Sequence, residues 1–282
     1  MNRNDDRIFA YLLLTIVALS VIALLCAAAL GIAVLATGGN GEGTEDPTSP
    51  TEDTTSPITD VWTPPAQVTL EETADAGMEY IDKMIFFGES TTSHLRSRGV
   101  LSDGKDTHQV WEDRSSATKT LTSKLLSEPI DYLPTGERLT IAQALEKEQP
   151  AYVVLSFGLN NITTFINNKS SYINNYNKLI NAIHQASPNT KIILQTVYPV
   201  TAACNAWAES GREISDYTRT LNQGLLEIAA SHENVRVADT ASVLTDANGC
   251  LDSVYDVSGD GIHLTTAAYE EILYYLRTHA WQ

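Results

Sequence analysis

Hydrophobic positions along this chain fall into two rhythms that alternate from about residue 70 to the end. Short continuous apolar runs come first: Met84-Ile85-Phe86-Phe87, then Ala151 to Phe157, Lys191 to Val197 and Val235 to Ala238, with His108 to Trp111 a weaker fifth. Uninterrupted runs of this length suit parallel strands covered on both faces. Between them apolar residues recur at helical spacing. Ile141, Ala144 and Leu145 mark one helix. Tyr172, Tyr176, Leu179, Ile180 and Ile183 mark a second, and Ile214, Tyr217, Leu221, Leu225 and Ile228 a third. Ala268, Ile272, Leu273 and Leu276 mark the last. Strand–helix alternation predicts an α/β protein: a three-layer α/β/α sandwich around a mostly parallel, flavodoxin-like sheet of about five strands. No internal repeat interrupts the pattern.

The N-terminal part follows neither rhythm. Ile8 to Ala36 carries no charge and exceeds the roughly 20 residues a membrane-spanning helix needs. Arg3 and Arg7 precede it, and Glu42, Glu45, Asp46, Glu52, Asp53 and Asp60 follow without a Lys or Arg among them. The charge bias predicts residues 1–7 in the cytoplasm, a single transmembrane helix at 8–36 and an extracellular remainder on the cell membrane. A cleaved signal peptide is the competing reading, because Ala27-Ala28-Ala29 offers a cleavage site. Residues 37–69, rich in Thr, Pro, Gly and acidic side chains, read as a disordered linker. The folded domain then occupies 70–282.

The formal net charge of −17 argues against a nucleic-acid partner, since phosphate binding needs clustered Lys and Arg. Of three cysteines, Cys26 lies in the membrane run. Cys204 and Cys250 fall in the outer part, where a disulfide between them is possible and two free thiols equally so. No metal-binding spacing is present, and the expected chemistry needs no cofactor.

Three islands carry that chemistry: Gly88-Glu89-Ser90, Gly158-Leu159-Asn160 and Asp260-Gly261-Ile262-His263. The first two close apolar strands. In an open parallel sheet they therefore share the carboxyl edge, where ligands bind. A serine is a weak nucleophile until a base takes its proton. His263 is the candidate base, and Asp260, three residues earlier, can hold its tautomer. Taken singly, each island has a plain explanation: Ser90 as a helix cap, Asp260 as a turn residue. The chain lacks G-x-S-x-G, because Ser90 is followed by Thr91-Thr92, which argues against an α/β-hydrolase elbow.

In combination, order and strand placement, the islands resemble the SGNH/GDSL hydrolase superfamily, and most closely its membrane-tethered extracellular bacterial members. The likeness covers Met84 to about His279, and Gly259-Asp260-Gly261-Ile262-His263-Leu264 before a terminal helix is its strongest element. The resemblance implies a serine esterase acting on short acyl groups, such as O-acetyl on cell-wall or dietary carbohydrate. Ser90 would be the nucleophile, with His263 and Asp260 completing the catalytic set. Asn160 and the Ser90 backbone N–H would form the oxyanion hole, with Gly158 beside them. Two departures stand out. The family's usual Asp after the first glycine is Glu89, expected near the substrate and engaged in local hydrogen bonds. The family's separate oxyanion glycine has no counterpart in Val110 to Ser116, where the Ser115 backbone N–H is the substitute. His94, four residues after Ser90, would share its helical face and line the pocket. Trp111, Tyr198 and Trp207 follow strand-like segments and would either stack on a sugar or pack in the core. Two rival functions remain open: an O-acyltransferase with a sugar acceptor, and a glycan-binding domain that has lost catalysis.

Overall fold

In the computed structural model, residues 68–115, 119–160, 162–165, 168–205, 213–257 and 259–282 are described. The expected membrane span, most of the linker, Cys26 and Trp207 lie outside them. Among the described residues no helix is long and apolar enough to cross a membrane.

All five apolar runs form strands. They are β1 (Met84–Gly88), β2 (Val110–Trp111), β5 (Tyr152–Ser156), β6 (Lys191–Gln195) and β7 (Val235–Ala238), paired in parallel in the order β2-β1-β5-β6-β7. The register is continuous, with Phe86 opposite Val154 and Val154 opposite Ile193. Alternation along each strand divides the core in two. Ile85, Phe87, Val153, Leu155, Ile192 and Leu194 face one layer, and Met84, Phe86, Val154 and Ile193 face the other.

The first layer is built from α3 (Ile141–Glu148), α5 (Lys169–Ala186) and α7 (Ile214–Ala230), whose apolar stripes supply Leu145, Ile180 and Leu225. The second holds α1 (Met78–Ile81), α2 (Ser90–Arg98) and α8 (Thr266–Thr278), with Leu95, Ile272 and Leu276. Local sequence sets the helix starts. Thr140 and Gln143 form a reciprocal capping box on α3, and the Thr265 side chain accepts the Ala268 N–H on α8. Two further helices, α4 (Ile162–Phe165) and α6 (Ala202–Asn205), are single turns in loops at the carboxyl edge.

Two features lie outside the sequence pattern. An antiparallel hairpin, β3 (Pro129–Tyr132) with β4 (Glu137–Thr140), stands apart from the main sheet; its strands are too short and too polar to register as apolar runs. The chain also joins the fold earlier than the expected boundary at 70. Thr69 bridges Val237 in parallel, and Val68 is buried. Val68 shares a cavity of about 390 Å³ with Ala229 to Glu233, the last residues of α7 and the turn that follows it.

Candidate active site

Ser90 opens α2 immediately beyond β1. The turn that exposes it needs the bare backbone of Gly88: a β-carbon there would overlap both the Thr92 hydroxyl and the Ser156 carbonyl. At the first position of the helix, the Ser90 N–H has no intrahelical acceptor and points along the positive end of the helix dipole.

His263 comes from the other end of the chain, on a loop that pairs back on itself before α8. The Val257 N–H donates to the His263 carbonyl at 2.9 Å, and the Thr265 N–H donates to Tyr255. Within this loop Asp260 organises the histidine. One carboxylate oxygen accepts the Ile262 and His263 backbone N–H groups at 2.9 and 2.8 Å, and the other lies 2.8 Å from His263 Nδ1. That contact leaves Nε2 facing the serine, 3.4 Å from Ser90 Oγ. Three residues separated by up to 173 positions thus form one hydrogen-bonded line. Partial burial works to raise the Asp260 carboxyl, but the backbone and imidazole hydrogen bonds of His263 and the Ile262 N–H outweigh it. They hold the group well below the usual carboxylate range. Asp260 therefore stays ionised and able to stabilise an imidazolium.

Asn160 lies beyond β5. Its side chain is exposed, and its backbone N–H donates to Glu89 at 3.0 Å. Its amide has no protein partner among the described residues and is available to a ligand.

The remaining sequence candidates divide between those the structure brings to the site and those it does not. Glu89 does not line the substrate space. It is 3% exposed, and its carboxylate accepts the Gly158 N–H at 2.7 Å as well as that of Asn160. Burial pushes it up to about 7 against the opposing effect of those N–H donors. For the same reason the Gly158 N–H is not a free oxyanion donor. The Ser115 N–H is also committed, donating to Asp113 at 3.0 Å within a cluster that includes Arg138. Trp111 is in the core, edge-on to Tyr132. Tyr198 is also buried, and that burial pushes its hydroxyl well above the usual tyrosine range; neither ring reaches a sugar. His94 does join the site, with its ring centroid 5.0 Å from that of His263. Burial, then the neighbouring His263 and Arg98, pull it below the usual histidine value and favour its neutral form. The Cys204–Cys250 bridge is not formed. The Cys204 thiol turns instead to the Asp260 carbonyl at 3.0 Å, while Cys250 is buried in the Asp246 turn.

Several supporting residues escaped the sequence reading. Thr201 donates its N–H to the Gly261 carbonyl at 3.0 Å, and Asp256 accepts the Gly261 N–H at 3.2 Å. With Cys204 they clamp the turn that carries Asp260. Gly261 has φ +78°, and a β-carbon on it would overlap Cys204 and Thr201. Tyr172 and Tyr176 both donate to the Phe157 carbonyl, bracing the loop before Asn160. Their spacing of four marked them only as one face of a helix. No metal-binding group of three or more acidic, His or Cys side chains occurs among the described residues.

The layered parallel sheet and the Ser–His–Asp line at its carboxyl edge fit a hydrolase of the SGNH type. The model of the GDSL-like lipase/acylhydrolase family matches residues 86–271, and the chain belongs to that family. It is accordingly an ester hydrolase. Solved structures match the chain at low identity. A GDSL-like lipase from Bacteroides thetaiotaomicron is 18% identical with a TM-score of 0.47, covering 69% of this chain and 85% of its own. A family 3 carbohydrate esterase from Talaromyces cellulolyticus is 14% identical, TM-score 0.44, covering 69% and 93%. One from Clostridium thermocellum is 17% identical, TM-score 0.39, covering 69% and 93%. No curated protein matches the chain in sequence.

Proposed function

We propose that the protein is a serine esterase whose nucleophile is Ser90. The observation that carries this reading is the line from Asp260 through His263 to Ser90, with steps of 2.8 and 3.4 Å. Ser90 Oγ attacks the ester carbonyl as His263 Nε2 takes its proton, and Asp260 stabilises the resulting imidazolium. The oxyanion receives the Asn160 amide and the Ser90 backbone N–H, each such donor being worth about 10²–10³ in rate. His263 then protonates the leaving alcohol, and water releases the acyl group by the same route in reverse.

A short acyl group on carbohydrate, O-acetyl above all, is the substrate class we favour. Asp260 and His263 are 41% and 34% exposed, so an ester borne on a bulky polymer can reach the serine. The uncharged run at 8–36 supports a membrane-anchored protein with its catalytic domain outside the cell. The deciding experiment is Ser90→Ala in the full chain. Hydrolysis of p-nitrophenyl acetate falls to background while the melting temperature holds; equal turnover by variant and unaltered protein rules out this reading. Acetate release from acetylated glycans, set against p-nitrophenyl octanoate hydrolysis, tests the acyl preference.

A further inference from the structure

Glu89 stands at the N-cap of α2, where a short polar side chain such as Ser or Asp ordinarily folds back onto its own helix. Here it makes no capping hydrogen bond. The main chain of Glu89 is fully used: its N–H donates to the Ser156 carbonyl at 3.1 Å, and its carbonyl accepts the Thr92 and Ser93 N–H groups at 2.9 and 3.2 Å. The side chain is thereby free to cross from β1 to the loop after β5. There its two oxygens divide the work. Oε1 takes the Gly158 N–H at 2.7 Å and Oε2 the Asn160 N–H at 3.0 Å, and the intervening Leu159 N–H adds a weaker pull on the same carboxyl. Successive backbone N–H groups wrapped around one anion form a nest. A buried carboxylate is tolerated only with such donors around it.

The extra methylene of Glu over the family's usual Asp therefore does not leave an idle acid. We propose that Glu89 is a positioning residue: covalently adjacent to Ser90, its carboxylate holds the Gly158–Asn160 turn so that the Asn160 amide meets the reacting carbonyl oxygen. This rests on the esterase reading above. One side chain thus sets the distance between nucleophile and oxyanion donor, and Tyr172 and Tyr176 secure the same loop from behind through Phe157.

Glu89→Gln tests the idea at nearly constant volume, because one acceptor oxygen becomes an NH₂ that faces a backbone N–H. The full chain is assayed on p-nitrophenyl acetate as unaltered protein, E89Q, N160A and E89Q/N160A. Misplacing one donor predicts a kcat about 10–100-fold lower in E89Q, with KM within about threefold. The double variant should be no more than about threefold slower than N160A, since both changes remove one interaction. Wild-type kcat in E89Q, or two losses that multiply, overturns the proposal. Fluorophosphonate labelling of Ser90 separates this from failure of the esterase reading: labelling must persist in E89Q, whereas unaltered protein that does not label sinks the esterase itself. Should E89Q not fold, hydrogen exchange in the unaltered protein decides. Protected Gly158 and Asn160 backbone amides uphold the nest, and exchange at free-peptide rates removes it.

Discussion

Ser90 and His263 meet from two differently built regions. The serine side is anchored in the core. Glu89 is 3% exposed, β1 is buried along its length, and the Asn160 turn is tied to a buried acid and two buried tyrosines. The histidine side is an exposed loop held mostly by its own short-range hydrogen bonds, with Asp260 41% exposed. The contrast shows how a hydrolase fold can divide its labour. Donors that must not move are fixed by packing, while the base, which must exchange protons and adjust to a leaving group, sits where a small clamp suffices.

Removing the imidazole breaks the comparison most severely. His263→Ala should lower kcat by about 10⁴–10⁶, with thermal melting essentially unchanged because the ring is only partly buried. Asp260→Asn comes next, at about 10⁴ in kcat; it spares the turn's size but removes the charge that holds the tautomer. A loss as large as that of the histidine variant would show that the exposed loop is as unforgiving as the core side.

Gly261→Ala probes the clamp alone. The overlap with Cys204 and Thr201, together with φ +78°, should cost about 1–3 kcal/mol of stability and about tenfold in kcat. Gly249→Ala is the control. Gly249 has φ +81° but open space around it, so strain without overlap should lower the melting temperature and leave kcat alone.

The last effect leaves catalysis aside: it concerns the pH dependence of stability and separates the two regions by sign. Glu89 is raised to about 7 by burial, so the folded state keeps a proton that the unfolded chain releases from about pH 4.5 upward. Stability from this group is therefore present at low pH and falls by about 3 kcal/mol as pH rises to about 7. Asp260 is lowered, so its contribution is present above pH 4 and fades only as pH drops further. Urea unfolding at pH 5 and pH 8 should show the neutral-range loss in unaltered protein and not in E89Q. An equal loss in both would assign it to another group.

Much of this was legible in the sequence. Continuous apolar runs announce buried parallel strands whatever surrounds them, so all five were readable, and their ends placed Ser90 and Asn160 on one edge. The Asp260–His263 spacing was readable because the interaction is local. What stayed hidden depends on partners distant in sequence. A backbone N–H carries no signature of its acceptor, so Gly158 and Ser115 looked available when Glu89 and Asp113 already held them. Trp111 ends β2 and Tyr198 follows β6, and only tertiary packing decides that both turn inward rather than toward a sugar. The β3–β4 hairpin has four-residue strands of mixed polarity, below what periodicity can resolve.

The short edge segment at Val68 to Leu70 runs alongside β7 in the same direction, so it arrives at the amino ends of the strands, beneath the sheet. Ser90 and Asn160 sit at the opposite rim. A bead or sensor chip coupled at Val68 itself would hold the enzyme by its underside and leave the reactive rim turned toward the bulk solution, accessible even to particulate material.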